Sequence, residues 1–289
     1  MQRKITEKER QRYIKQFKNL TIKDDFMFCK VMQHESICSQ VLNIVLKDHH
    51  KIAKIKHITS QKDIKNHPEL KSVRLDILVE DEDGNSYDIE MQVINNKNIR
   101  KRMRVYQAAI DMSKINKGMD YNKIGDAIII FFCMFDPIGE GLPVYFFENY
   151  CTQDKNIKMN DGTYKVILNV IAWEKLEDGE LKALLRYFFD GYVNSKVAKE
   201  MDMKTIAIKG DSTITEEYIS AYTKYWDIRR EGEQLGIKKG IIKGKIKGKI
   251  EGKIEGIKST AKNLLSIGIP IDKIMQATGL SKDELENLK

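Results

Sequence analysis

Residues 73–94 read VRLDILVEDEDGNSYDIEMQVI, and the fold turns on how this stretch is read. Leu75, Ile77 and Val79 alternate with Arg74, Asp76 and Leu78 at the period-2 spacing of a strand. Asp83-Gly84-Asn85 then brings together residues that tolerate positive φ, as a tight turn requires. Tyr87, Ile89, Met91 and Val93 resume the alternation on the far side. The pattern predicts a β-hairpin. Asp76 shares one face with Arg74 and Leu78, while Asp88, Glu90 and Gln92 share a face of the partner strand. Antiparallel sheets often keep one wet face, so acids on a strand are unremarkable alone. This hairpin is flanked by a strongly apolar strand and by two helices, which argues against simple solvation.

Upstream, Leu20 to Asp25 offers a helix cap, and Phe26, Phe28, Val31, Met32, Ile37, Val41, Leu42, Val45 and Leu46 follow at helical spacing. A strand near 52–59 and a polar loop over 62–71, with Pro68, lead into the hairpin. Downstream, 99–116 is predicted to be an amphipathic helix carrying Met103, Ala108, Ile110 and Met112, and 125–135 a buried strand. Further strands are expected over 144–150 and 164–171, with a turn at Asn160-Asp161-Gly162. A helical region over 181–203 is expected to pack Leu184, Leu185, Phe188, Phe189 and Tyr192 back on the core. The order is helix, three strands, helix, strand: an α/β core with a mixed sheet.

A chain of 289 residues, 42% apolar, can hold one large domain or a core with an accessory region. Fifty Lys and Arg against 42 Asp and Glu leave a net charge of +8, which permits an anionic partner without requiring one. The opening MQRKITEKERQRYIKQ is charged throughout and has no apolar core of a secretory leader. The longest apolar run, 127–135, is far shorter than the roughly 20 residues of a membrane-spanning helix, so no membrane partner is expected. Cys29, Cys38, Cys133 and Cys151 form no C-x-x-C pair, a usage that suits the reducing cytoplasm. His34 and Cys38 share a helix face, but no second ligand pair accompanies them and a zinc site is not expected.

An acid in one strand, a turn, then acid-x-Gln in the next resembles the core of the PD-(D/E)XK nucleases. The resemblance is strongest to the recombination-promoting nuclease (Rpn) and transposase branch, in which Gln commonly stands where other members have Lys. Asp76 and Glu90-Met91-Gln92 carry it, together with LTIKDDFMFCKVM (20–32), KRMRVYQAAIDMSKINKGMDYNKI (101–124) and IIIFFCMFDPIGEGLPVYFF (128–147). It covers residues 20–195, and the order of the four stretches is more specific than the short acidic motif. Leu75 stands where a Pro often precedes the first acid. The resemblance implies a PD-(D/E)XK restriction-endonuclease-like core.

It also implies a site. Asp76 and Glu90 on neighbouring strands suit Mg²⁺ or another divalent cation, which is commonly held by one or two carboxylates with water completing the shell. The Met91 carbonyl adds a backbone oxygen. Gln92 can orient water or phosphate by hydrogen bonds but cannot carry the charge of a Lys. Asp24 and Asp25 cap the first helix on the simpler reading. On the sharper one Asp25, ahead of Glu35, is the third carboxylate that such cores take from their first helix. Arg100 and Arg104 share a helix face suited to backbone phosphates, whereas for Arg100 and Arg102 a solvated basic face is the preferred reading. Arg104 and Tyr106 resemble the Arg-x-Tyr of Rpn-like sequences.

Beyond the core, residues 1–205 give way to a segment over 206–258 in which Gly232, Gly236, Gly240, Gly244, Gly248, Gly252 and Gly256 recur among Ile and Lys. A four-residue step overshoots a helical turn by about 40°, so this stripe winds round the helix. Each Gly also costs about 1 kcal/mol relative to Ala. A solvated linker, or a homo-oligomer paired through the small residues, are the expectations. Residues 259–289 form a small helical module with helix-turn-helix spacing and a Ser281/Glu284 capping box. Its second helix carries Asp283, Glu284 and Glu286, which favours a packing role over entry into a DNA groove. The function that the resemblance implies is Mg²⁺-dependent DNA endonuclease in recombination, mobile-element or phage-defence settings. The alternative is a catalytically silent nucleic-acid-binding or assembly protein on the same fold.

Overall fold

The computed structural model describes residues 5–64 and 73–288. Two compact units emerge, Arg3–Ile219 and Ser220–Lys289. In the first, α1 (Glu7–Lys18) precedes the expected first helix. Thr6 and Glu9 form a capping box at its start, and Tyr13 and Phe17, four apart, are its buried residues. The predicted helix over 26–46 is split into α2 (Asp25–Met32) and α3 (Glu35–Leu46). His34 is extended at the break, where Gln33 and His34 donate back to the carbonyls of Cys29 and Val31. No Gly or Pro marks that break in the sequence.

Strands β1 (Ile55–Ile64), β2 (Val73–Asp81) and β3 (Ser86–Gln92) form an antiparallel meander. Of the polar loop expected over 62–71, residues 62–64 end β1 and the remainder lies outside the described residues. Helix α4 (Ile99–Lys114) crosses over to β4 (Ala127–Cys133), which lies parallel to β3. Then β5 (Val144–Phe147) pairs antiparallel with β6 (Thr163–Asn169), itself parallel to β4. Among the described residues these make one mixed sheet in the order β1-β2-β3-β4-β6-β5. Every β4 residue is buried because helices cover both faces of the sheet's centre. Phe132 meets Phe28 of α2 and Phe188 of α5 (Glu180–Asp190) on one face, while Phe131 meets Tyr106 of α4 on the other. The expected α/β core with a mixed sheet and a helical C-terminal extension is what the chain forms.

The hairpin turn is held from within. Gly84 takes φ +87°. Asp81, 1% exposed, accepts from the Asp83 and Asn85 amides through Oδ1 at 3.1 and 2.9 Å. Its Oδ2 accepts from the Asn85 side chain at 3.0 Å and the Tyr87 hydroxyl at 2.8 Å. Gly125 passes so close beneath this turn that a Cβ there would sit 2.3 Å from the Gly84 carbonyl oxygen.

Gly191, left-handed at φ +80°, ends α5, and Ser195 caps α6 (Lys196–Gly210) through the Ala198 amide. Leu184, Leu185 and Phe188 are buried as expected, but Phe189 and Tyr192 are exposed. Phe189 lies one residue past the buried stripe and Tyr192 past the helix end, where the Arg186 guanidinium lies 3.8 Å from the Tyr192 ring centroid.

Helix α7 (Ser212–Ser266) contains the boundary between the units, and the glycine repeat is helical within it. The intervening Lys and Glu are good helix formers, and Lys247–Glu251 adds an i,i+4 ion pair. In the second unit α8 (Ile271–Thr278) and α9 (Lys282–Glu286) pack Ile274 and Leu285 against Ala261 of α7. Gly279 is left-handed after α8, and the Ser281/Glu284 capping box opens α9. No helix among the described residues is long and apolar enough to cross a membrane.

Candidate active site

The register Ile77↔Ile89 and Leu78↔Asp88 makes Asp76 and Glu90 cross-strand neighbours on the face that α4 covers. Their contacts interlock. The Asp76 amide donates to Glu90 Oε1 at 2.8 Å, and the Met91 amide donates to Asp76 Oδ2 at 3.2 Å. Gln92 follows on the same face, and its Nε2 donates to Glu90 Oε2 at 3.3 Å. Asp76, Glu90 and Gln92, the residues to which the resemblance pointed, are brought together here.

Asp88 shares this face and is wholly buried, with neither carboxylate oxygen hydrogen-bonded to any described residue. Three strand acids therefore crowd one region. Burial, then the charge of Asp25, pushes Asp76 up to about 6 against the opposing pull of the Met91 amide, Arg102 and Arg74. Burial and the neighbouring Asp88 and Asp76 raise Glu90 well above the usual carboxylate range. Asp88 is raised in the same way by burial and by Asp76.

Asp25, the first residue of α2, is raised by burial and by Asp24, and feels both Arg74 and Arg102. It thus shares the field of the strand acids from a different element. Asp24 makes no side-chain cap into α2, accepting instead from Thr21 at 2.7 Å. Glu35 opens α3.

On α4 the basic residues separate. Arg100 is exposed and donates to the Ile138 carbonyl at 3.0 Å. Arg104 is also exposed. Arg102, read from sequence as part of a solvated face, turns inward instead. Its Nη1 donates to Gln92 Oε1 at 2.6 Å, and its Nη2 to Glu90 Oε2 at 3.0 Å and to the Tyr106 hydroxyl at 2.9 Å. The signal was present in the helical period. Ile99, Met103 and Ile110 are buried on α4, and Arg102 with Tyr106, four apart, flank that seam. Tyr106, pushed up to about 12 by burial and by Glu90, reaches the site through Arg102.

Among the described residues, no three His, Cys, Asp or Glu side chains converge tightly enough to cage a metal ion by themselves. A cation held by two carboxylates and water needs less, and buried acids that repel one another are what such a charge relieves. Asp76 and Glu90 fit that requirement. Beside them Asp88, with neither oxygen hydrogen-bonded to a described residue, is a third acid whose ionisation burial and Asp76 disfavour.

A family model described as PD-(D/E)XK nuclease family transposase matches residues 22–188. A second, described as Rpn/YhgA-like nuclease family, C-terminal HTH domain, matches residues 259–289. No curated protein and no solved structure matches the chain.

Proposed function

The chain belongs to the PD-(D/E)XK nuclease family transposases, and from that premise we propose that it is a divalent-cation-dependent endonuclease hydrolysing DNA phosphodiester bonds. The observation that carries the proposal is the cross-strand pairing of Asp76 with Glu90 on one sheet face, within the field of Asp25. Asp76, Glu90 and the main-chain oxygen of Met91 would hold Mg²⁺. The ion, when bound, polarises the scissile phosphate and lowers the pKa of a water molecule. Gln92, with one N–H donated to Glu90, offers the other to an oxygen of the substrate or of the attacking water. Arg104, exposed on α4, adds a contact to the nucleic-acid backbone, and the segment over 259–289, which matches a helix-turn-helix family model, supplies a second DNA contact through a surface other than its acidic second helix. Recombination, mobile-element movement or phage defence are the settings this activity serves.

A second reading, a silent DNA-binding protein on the same fold, draws on one feature. Both Glu90 oxygens are already engaged, by the Asp76 amide and by Arg102, and Gln92 is uncharged. Nicking of supercoiled plasmid with Mg²⁺ or Mn²⁺ separates the two. Wild type is expected to nick, while Asp76→Ala and Glu90→Ala lose at least about 100-fold of the rate. Cleavage surviving both substitutions overturns the site; DNA binding without cleavage at any divalent concentration selects the second reading.

A further inference from the structure

Gln92 leaves a gap in the chemistry. Displacement at a phosphodiester builds negative charge, and a neutral amide stabilises it far less than an ammonium does. Within the same cluster the fork-shaped cation of Arg102 holds that amide together with Glu90 and the Tyr106 hydroxyl. We propose that Arg102 supplies from α4 the positive charge that Gln92 does not carry, and acts as the positioning residue for Gln92 and Glu90. This rests on the nuclease reading above and adds a residue to it.

The geometry is specific. One arm of the guanidinium holds the Gln92 carbonyl oxygen at 2.6 Å and the other holds Glu90 Oε2 at 3.0 Å. With its carbonyl tied to Arg102, the Gln92 amide must turn its NH₂ towards Glu90, where Nε2 lies 3.3 Å from Oε2. Flipping the amide would set NH₂ against guanidinium and carbonyl against carboxylate, losing both contacts. Arg102 is itself fixed. Its guanidinium carbon lies 5.1 Å from the centroid of Tyr106 and 5.3 Å from that of Phe131, and the Tyr106 hydroxyl accepts from it. A planar guanidinium keeps its charge and stacks on aromatic rings, which a Lys at this position would do less well. The side chain is 24% exposed while Glu90 is 1% exposed, so the positive charge has an open side and the carboxylate does not.

The electrostatic consequence has two signs. Arg102 offsets the charge of Glu90 and so weakens the hold of the acids on a divalent ion. It also orients the group that meets the substrate. Removing it should therefore tighten cation binding and slow cleavage, a divergence that a merely structural ion pair does not produce.

The test compares the full chain with Arg102→Gln, Arg102→Lys and the double variant Arg102→Gln/Gln92→Lys. Plasmid nicking, calorimetric titration with Ca²⁺ alone and thermal melting are measured for each. Arg102→Gln is expected to lose about 100-fold in cleavage while binding Ca²⁺ about tenfold more tightly. Arg102→Lys should fall between it and wild type, because charge without the fork recovers part of the effect. The double variant, which returns a cation to β3, should recover about tenfold of the lost rate. The proposal is overturned if Arg102→Gln cleaves like wild type, or if its Ca²⁺ affinity is unchanged or weaker and the added Gln92→Lys change restores nothing. A wild type that fails to cleave overturns the nuclease reading and this proposal together; cleaving wild type with an indifferent Arg102→Gln overturns this proposal alone.

Discussion

Replacing Asp76 by Asn should make the cation-free protein more stable at neutral pH and inactive at every pH. Burial and Asp25 push the Asp76 carboxyl from an ordinary 3.8 up to about 6. At about 1.4 kcal/mol for each tenfold change in proton affinity, that gap corresponds to about 3 kcal/mol. The folded chain keeps this proton to higher pH than the unfolded chain, so folding takes up a proton between about pH 4 and 6 and stability falls across that window. Above it the full penalty is present; below about pH 4 both states are protonated and it vanishes. Asn removes the charge and keeps an oxygen able to accept from the Met91 amide, which lies 3.2 Å from Asp76 Oδ2. Thermal unfolding in EDTA from pH 4 to 8, followed by circular dichroism, should show Asp76→Asn melting about 6–12 °C above wild type at pH 8. The difference should shrink towards zero at pH 4. An Asn variant that melts at or below wild type at pH 8, or an advantage that persists undiminished at pH 4, would refute the account of Asp76 as a desolvated acid crowded by its neighbours. Gain of stability with loss of function is the expected mark of a strained catalytic group.

Asp81→Ala should cost about 3 kcal/mol or more in urea unfolding, since it strands the buried Tyr87 hydroxyl and the turn amides it holds at 2.8–3.1 Å; a loss under about 1 kcal/mol would show that the turn needs no internal acceptor. Gly125→Ala should unfold several degrees lower than wild type, because its Cβ would meet backbone at 2.3 Å rather than a movable side chain. An unchanged melting temperature would mean that the strands separate freely there. Arg104→Ala should weaken DNA binding uniformly across sequences and lower the slope of log affinity against log salt by about 1. A loss confined to particular sequences would instead give Arg104 a base contact.

Much of this architecture follows from one-dimensional pattern. The alternation over 73–94, the apolar run of β4 and the spacing of Ile99, Met103 and Ile110 mark the strands and the crossover helix, because period and burial are local properties of a chain. The same alternation puts Asp88, Glu90 and Gln92 on one face. The break at Gln33–His34 was not legible, since no Gly or Pro announces it, and neither was the exposure of Phe189 and Tyr192, which depends on where α5 stops. The orphaned oxygens of Asp88 could not be read either. A sequence shows that an acid lies on a strand, whereas its lack of a hydrogen bond among the described residues depends on every element that packs over it.

Arg102 marks the boundary most sharply. Composition and spacing show four basic residues within 100–104, and charge alone treats them as equivalent. Only the docking of α4 against β3 and β4 separates them, because a rotation of about 100° per residue decides which guanidinium meets Gln92 and Glu90 and which faces solvent. The chain's own pattern thus determined the hairpin, the mixed sheet and the face that bears the acids. The tertiary structure decided which cation sits among them, because partners from distant elements become neighbours only when the helix is seated on the sheet.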